Sequence, residues 1–135
     1  MVYRPALRVL LGGLLVSSLS SCQLVVDIDI RQLDDGRIVI ATKDGSDHPP
    51  CISSLTIYRI VPGASEFDYP IEWIATNADG VENARHCTNR IVYPEIPPHY
   101  YGGPGKKLQP GQEYIVDADG AGFTTRTKIV RRAIR

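Results

Sequence analysis

Residues 24–31 constrain the fold more than any other stretch. Leu24, Val26, Ile28 and Ile30 occupy one parity, and Val25, Asp27, Asp29 and Arg31 the other. A period of two with one apolar side is met only by a half-buried β-strand. The same pattern recurs along the chain. Asp35-Gly36 reads as a hairpin turn into a second strand over residues 37–42, with Ile38 and Ile40 on one face. Residues 43–50 form a polar loop. A third strand covers 52–61, where Leu55 and Ile57 alternate with Thr56 and Tyr58 until Pro62-Gly63 stops it. A shorter strand over 70–76 carries the only tryptophan, Trp73. A loop with one helical turn around 81–85 leads to a strand at 88–96, and strands at 113–118 and 123–132 flank Asp119-Gly120-Ala121-Gly122. Seven short strands within about 110 residues predict an all-β fold, an immunoglobulin-like antiparallel β-sandwich of about seven strands.

A chain of 135 residues supports one such domain. Fifteen basic residues balance fifteen acidic ones, so the chain lacks the electrostatic footprint of a nucleic-acid binder. The N-terminus reads as an address. Arg4 and Arg8 precede an apolar run over 9–19 that is too short to span a bilayer. The run leads into Leu19-Ser20-Ser21-Cys22, which resembles the bacterial lipobox. The resemblance implies a lipoprotein signal peptide over 1–21 and a single domain over 22–135, exported and anchored through acylated Cys22. Two or three acyl chains suffice for stable anchoring where one is marginal. Gln23, in place of an aspartate, implies sorting to the outer membrane, with the domain facing the periplasm. Removing 21 of the 135 residues takes Arg4 and Arg8 away and leaves 13 basic against 15 acidic side chains. The first strand begins at Leu24, so the domain is expected close to the bilayer.

With Cys22 committed to lipid, Cys51 and Cys87 form the one available pair, and an exported compartment favours their oxidation. A redox or metal role would call for CxxC spacing or clustered ligands. Only His86 beside Cys87 and His48 three residues before Cys51 point that way, so a structural disulfide is expected.

Residues 108–116 resemble the tyrosine-corner segment of fibronectin type III domains, with Leu108, Pro110, Gly111, Tyr114 and Val116 in the family's positions. The resemblance implies that Tyr114 opens the sixth strand and that its hydroxyl meets backbone a few residues upstream. In that strand order the chain start, the Cys51 loop and the Cys87 loop share one pole. The first hairpin turn, loop 62–69, loop 97–111 and the C-terminus are then expected at the other.

Searches for catalytic chemistry return weak matches. Gly45-Ser46-Asp47-His48 contains triad residue types without the strand-to-helix elbow that presents a hydrolase serine. Asp117-Ala118-Asp119-Gly120 begins like a calcium loop but lacks the later oxygen ligands. Gly120-Ala121-Gly122 precedes β-branched residues rather than a phosphate-binding helix. His48, His86 and His99 are not spaced as ligand pairs. The sequence therefore predicts no catalytic residue, metal or cofactor.

Residues 97–107 differ in composition: two prolines, His99, the adjacent Tyr100 and Tyr101, three glycines, Pro104, Lys106 and Lys107. Loops of this length usually have a function or lack order, and tyrosines give large contact area at small entropic cost. Arg126, Lys128, Arg131, Arg132 and Arg135 are expected at the same pole. One reading makes His99, Tyr100, Tyr101, Lys106, Lys107, Arg131 and Arg132 a recognition patch for another envelope protein, peptidoglycan or an anionic glycan. The other has the loop packing over the sandwich end while charges protect an edge strand. The functional expectation is a non-catalytic envelope binding or assembly factor. The alternatives are an inhibitor or immunity lipoprotein that inserts Tyr100 and Tyr101 into an enzyme or toxin and, less favoured, a small hydrolase.

Overall fold

The computed structural model describes residues 25–80, 85–103 and 105–134. The expected signal peptide over 1–21, Cys22 and most of the helical turn expected at 81–85 lie outside them. Eight strands are present among the described residues: β1 (Asp27–Gln32), β2 (Ile38–Lys43), β3 (Ser54–Arg59), β4 (Ile71–Asn77), β5 (Arg90–Tyr93), β6 (Tyr100–Gly103), β7 (Glu113–Gly120) and β8 (Phe123–Val130). They form two antiparallel sheets, ordered β1-β2-β5 and β6-β4-β3-β7-β8. The chain is an all-β antiparallel β-sandwich.

The period-two patterning decides which faces meet. Ile38 and Ile40 of β2 and Ile91 and Tyr93 of β5 point inward from the smaller sheet. Leu55 and Ile57 of β3, Trp73 and Ala75 of β4, and Tyr114, Val116 and Ala118 of β7 point inward from the larger. Ile28 and Ile30 of β1 are half-buried against this core, whereas Asp27, Asp29 and Arg31 face solvent. Trp73 and Tyr93 meet edge to face across the sheets with centroids 5.4 Å apart, a favoured aromatic geometry. The closing hairpin is tighter than expected, since β7 and β8 pair as far as Gly120 and Phe123 and leave Ala121-Gly122 as the turn.

Strand direction defines two poles. The start of β1, loop 44–53 and residues 85–89 lie at one, where Cys51 and Cys87 are joined by a disulfide with Cα atoms 5.6 Å apart. The turn between β1 and β2, loop 60–70 and residues 131–134 lie at the other, the far pole.

Residues 97–111 do not form the expected loop at the far pole. After β5 reaches the far pole, the chain returns to the disulfide pole and enters β6, whose Tyr100 pairs with Asn77 at the end of β4. It then runs back along the edge of β4. The glycines permit this close approach: a Cβ on Gly102 would stand 2.0 Å from the Ile74 carbonyl oxygen, and one on Gly105 1.1 Å from that of Glu72. Backbone hydrogen bonding thus replaces a projecting loop and adds the eighth strand.

Tyr114, buried inside β7, accepts a hydrogen bond from the backbone N–H of Gln109 at 2.7 Å. That bond closes the turn before β7. Tyr114→Phe removes the acceptor from a half-buried N–H and is expected to cost about 1 kcal/mol in urea unfolding. Unchanged stability would show that the hydroxyl is not part of the turn's support.

Candidate functional site

The structure distributes the predicted recognition residues over both poles. Tyr100 is only 9% exposed. Its hydroxyl donates to the Ile52 carbonyl at 2.6 Å and accepts from the Thr88 N–H at 3.0 Å. Ile52 and Thr88 form an isolated bridge between the sheets, with Ile52 N–H donating to Thr88 O at 2.8 Å. The tyrosine completes that bridge beside the disulfide, so it is a core residue and offers no exposed contact. Tyr101, on the opposite face of the same edge strand, is 62% exposed.

His99 also belongs to the disulfide pole. Its ring stacks on His86 with centroids 3.8 Å apart, and His86 Nδ1 lies 3.1 Å from Asp79 Oδ2. The two histidines border a groove of about 500 Å³ with Arg90 and Glu95. They stand thirteen positions apart in sequence, and only the return of the chain before β6 brings them together. Among the described residues no three His, Cys, Asp or Glu side chains converge as a metal site. In the nearby loop Ser46 donates both its hydroxyl (2.6 Å) and its backbone N–H (2.9 Å) to Asp44 Oδ1, and these bonds hold the Asp44 carboxyl below its usual range. Ser46 is therefore bonded to a turn carboxylate.

Lys107, Arg131 and Arg132 do lie at the far pole, but not as one cationic patch. Arg132 binds Gln32 through both its backbone N–H, at 2.8 Å to Oε1, and its guanidinium, which reaches the Gln32 carbonyl. Arg131 is 4% exposed, and its guanidinium donates to the Gly36 carbonyl. These two arginines clamp the C-terminal segment onto the β1-β2 hairpin and tie the sheets together. Other basic residues near the end are paired: Arg126 is bidentate to Asp117 at 2.8 Å and reaches Glu66 at 3.0 Å, and Lys128 lies 3.0 Å from Glu113. Lys106 is exposed.

What the far pole does present is a cavity and an aromatic tip. The cavity, about 330 Å³, lies among Asp35-Gly36-Arg37, Trp73, Tyr93-Pro94, Gly105, Lys107, Arg131 and Ile134. Asp35 accepts from Arg37, through the backbone N–H at 3.0 Å and through Nε at 2.7 Å. The backbone bond first, and then the guanidinium, hold the Asp35 carboxyl below its usual range. The tip is Phe67, 99% exposed, on a short 3-10 helix (Glu66–Asp68). Ser65 caps this turn with its hydroxyl, and the Arg126 contact to Glu66 holds it to the sheet. A large apolar side chain displayed on a fixed turn is a recurrent recognition element, because little freedom is lost when it is covered. Sequence reasoning passed over Phe67, although an aromatic between two acids in a loop bounded by Pro62-Gly63 and Pro70 was a readable signal.

No protein-family model matches the chain, and comparison with curated proteins and with solved structures returns no match. The functional reading accordingly rests on the geometry of the two poles.

Proposed function

We propose that the chain is a lipid-anchored envelope protein that acts without catalysis as a binding or assembly factor, with the far pole as its recognition face. The observation that carries this reading is the opposition of anchor and tip. Only Gln23, Leu24, Val25 and Val26 separate Cys22 of the Leu19-Ser20-Ser21-Cys22 motif from β1, and β1 starts at the disulfide pole. Four residues reach at most about 14 Å. Acylation of Cys22 would hold the disulfide pole against the bilayer and turn Phe67 and the cavity away from it. The sheet order and the Tyr114 contact support a fibronectin type III-like module, a scaffold suited to displaying turns. The exposed aromatic tip favours a protein partner in the envelope over peptidoglycan or an anionic glycan.

A second reading, an inhibitor or immunity lipoprotein, draws support from the same tip, with Phe67 rather than Tyr100 and Tyr101 as the inserted anchor. Tight one-to-one inhibition of a soluble enzyme or toxin would distinguish it.

Intact mass of the protein from its own envelope tests the anchor. The expected result is a chain starting at Cys22 with added acyl mass, converted by Cys22→Ser to a soluble form. An unmodified Cys22 would overturn the reading. Phe67→Ser is expected to change stability by no more than about 0.5 kcal/mol, since the ring makes no buried contact. The same substitution is expected to weaken partner capture by the full-length protein, and full retention would remove Phe67 from the interface.

A further inference from the structure

The far-pole cavity contains a charge imbalance that the described residues do not resolve among themselves. Arg131 is almost fully buried, and its one guanidinium contact among the described residues is the neutral Gly36 carbonyl. Buried guanidinium groups are ordinarily paired with an anion, because removal from water without a counter-charge is costly. Asp35, the only acidic side chain among the described lining residues, is already engaged by Arg37. Lys107 brings a further positive charge to the rim and has no ion-pair partner among the described residues. Two buried donors in lining residues, Trp73 Nε1 and Arg131 Nε, also lack an acceptor among the described residues. The remaining walls are apolar, from Trp73, Tyr93, Pro94 and Ile134.

From this combination we infer that the cavity is a binding site for a carboxylate attached to a compact apolar or aromatic body, the acid paired with Arg131 and Lys107 and the body seated on Trp73 and Tyr93. A guanidinium fork matches a planar carboxylate, and surrounding apolar walls strengthen the pairing by excluding water. At about 330 Å³ the space lies at the small end of ligand sites and fits one ring or branched side chain with its acid, not an extended glycan. A free organic acid and the C-terminal carboxylate of a peptide ending in an apolar residue share this chemistry.

The inference deepens the proposed recognition role of the far pole, but its test depends on neither acylation nor a captured partner. Trp73 is the only tryptophan in the chain, so intrinsic emission reports on this cavity directly. Full-length protein in nonionic detergent is titrated with phenylacetate, with its neutral isostere phenylacetamide, and with acetyl-glycyl-phenylalanine. The expected result is a saturable change in Trp73 emission with one or both acids, and binding of the amide at least about tenfold weaker. The tighter of the two acids identifies the source as a small molecule or a chain terminus. Lys107→Gln, at an exposed position that leaves the Arg131 clamp intact, is expected to weaken the acid several-fold without moving the thermal midpoint. No saturable response to either acid up to about 10 mM, an equal response to the amide, or undiminished binding by Lys107→Gln would overturn the inference.

Discussion

Replacing both Cys51 and Cys87 with alanine is expected to lower the stability of the domain by roughly 3 to 4 kcal/mol, the loop-closure value for a crosslink spanning 36 residues. For a domain of this size that corresponds to a fall in thermal midpoint of about 15 °C or more. The position of the bond explains why it matters. Each cysteine immediately precedes one member of the Ile52-Thr88 bridge, so the disulfide and the bridge together close the sandwich where loop 44–53 crosses between sheets. Without the crosslink, that crossing is left to hydrogen bonds: the Ile52-Thr88 bridge, the Tyr100 hydroxyl, Asn89 donating to the Pro49 carbonyl and Ser53 N–H donating to the Asp119 carbonyl. Urea unfolding of the oxidised protein against the double variant measures the difference, and a loss below about 1 kcal/mol would mean that the crosslink adds little to the fold.

Adjacent tyrosines are expected to behave in opposite ways. Tyr100→Ala removes a buried ring from the core and leaves the Thr88 N–H and Ile52 carbonyl without their shared hydroxyl, at an expected cost of about 3 to 5 kcal/mol. Tyr101→Ala takes away a side chain that faces solvent and is expected to shift stability by about 0.5 kcal/mol or less. Tyr100→Phe separates the two parts of the effect: retaining the ring while losing the hydroxyl leaves a cost of about 1 to 3 kcal/mol. Chemical denaturation of the three variants checks the series. Equal, small effects at both positions would contradict the assignment of residues 100–103 to an edge strand.

The contrast between these neighbours shows what the chain discloses before it folds. The alternation from Leu24 to Arg31 is a local property, and the half-buried Ile28 and Ile30 stand where it places them. The same holds for Leu55 and Ile57 in β3 and for Tyr114, Val116 and Ala118 in β7. The pairing of Cys51 with Cys87 could be argued from compartment and number, and the disulfide is present. Residues 97–107 are different because their conformation is decided by a neighbour distant in sequence. Pro, Tyr and Gly in that order are compatible with a projecting loop, but Gly102 and Gly105 also remove the side chains that would obstruct approach to β4. Nothing local distinguishes the two cases. Once the segment returns to the disulfide pole, Tyr100 is carried into the core and His99 onto His86. Charge was similarly opaque. The run of basic residues near the C-terminus reads as a patch, yet cross-strand pairing neutralises Arg126 with Asp117 and Lys128 with Glu113, while Arg131 is drawn under the first hairpin. A count of charges cannot reveal which remain unpaired, and here Arg131 and Lys107 define the cavity's chemistry.

In the proposed function the two poles have different duties, one facing the anchor and the other a partner. Site-specific photocrosslinking in intact cells tests it most directly, with a photoreactive residue in place of Phe67 at the far pole or of exposed Asp47 in the loop carrying Cys51. The expected result is a discrete crosslinked protein from position 67, absent from position 47 and lost when Lys107→Gln is combined with Phe67→Ser and the probe moved to nearby Ser65. A discrete adduct from position 47 alone would contradict it and assign recognition to the disulfide pole.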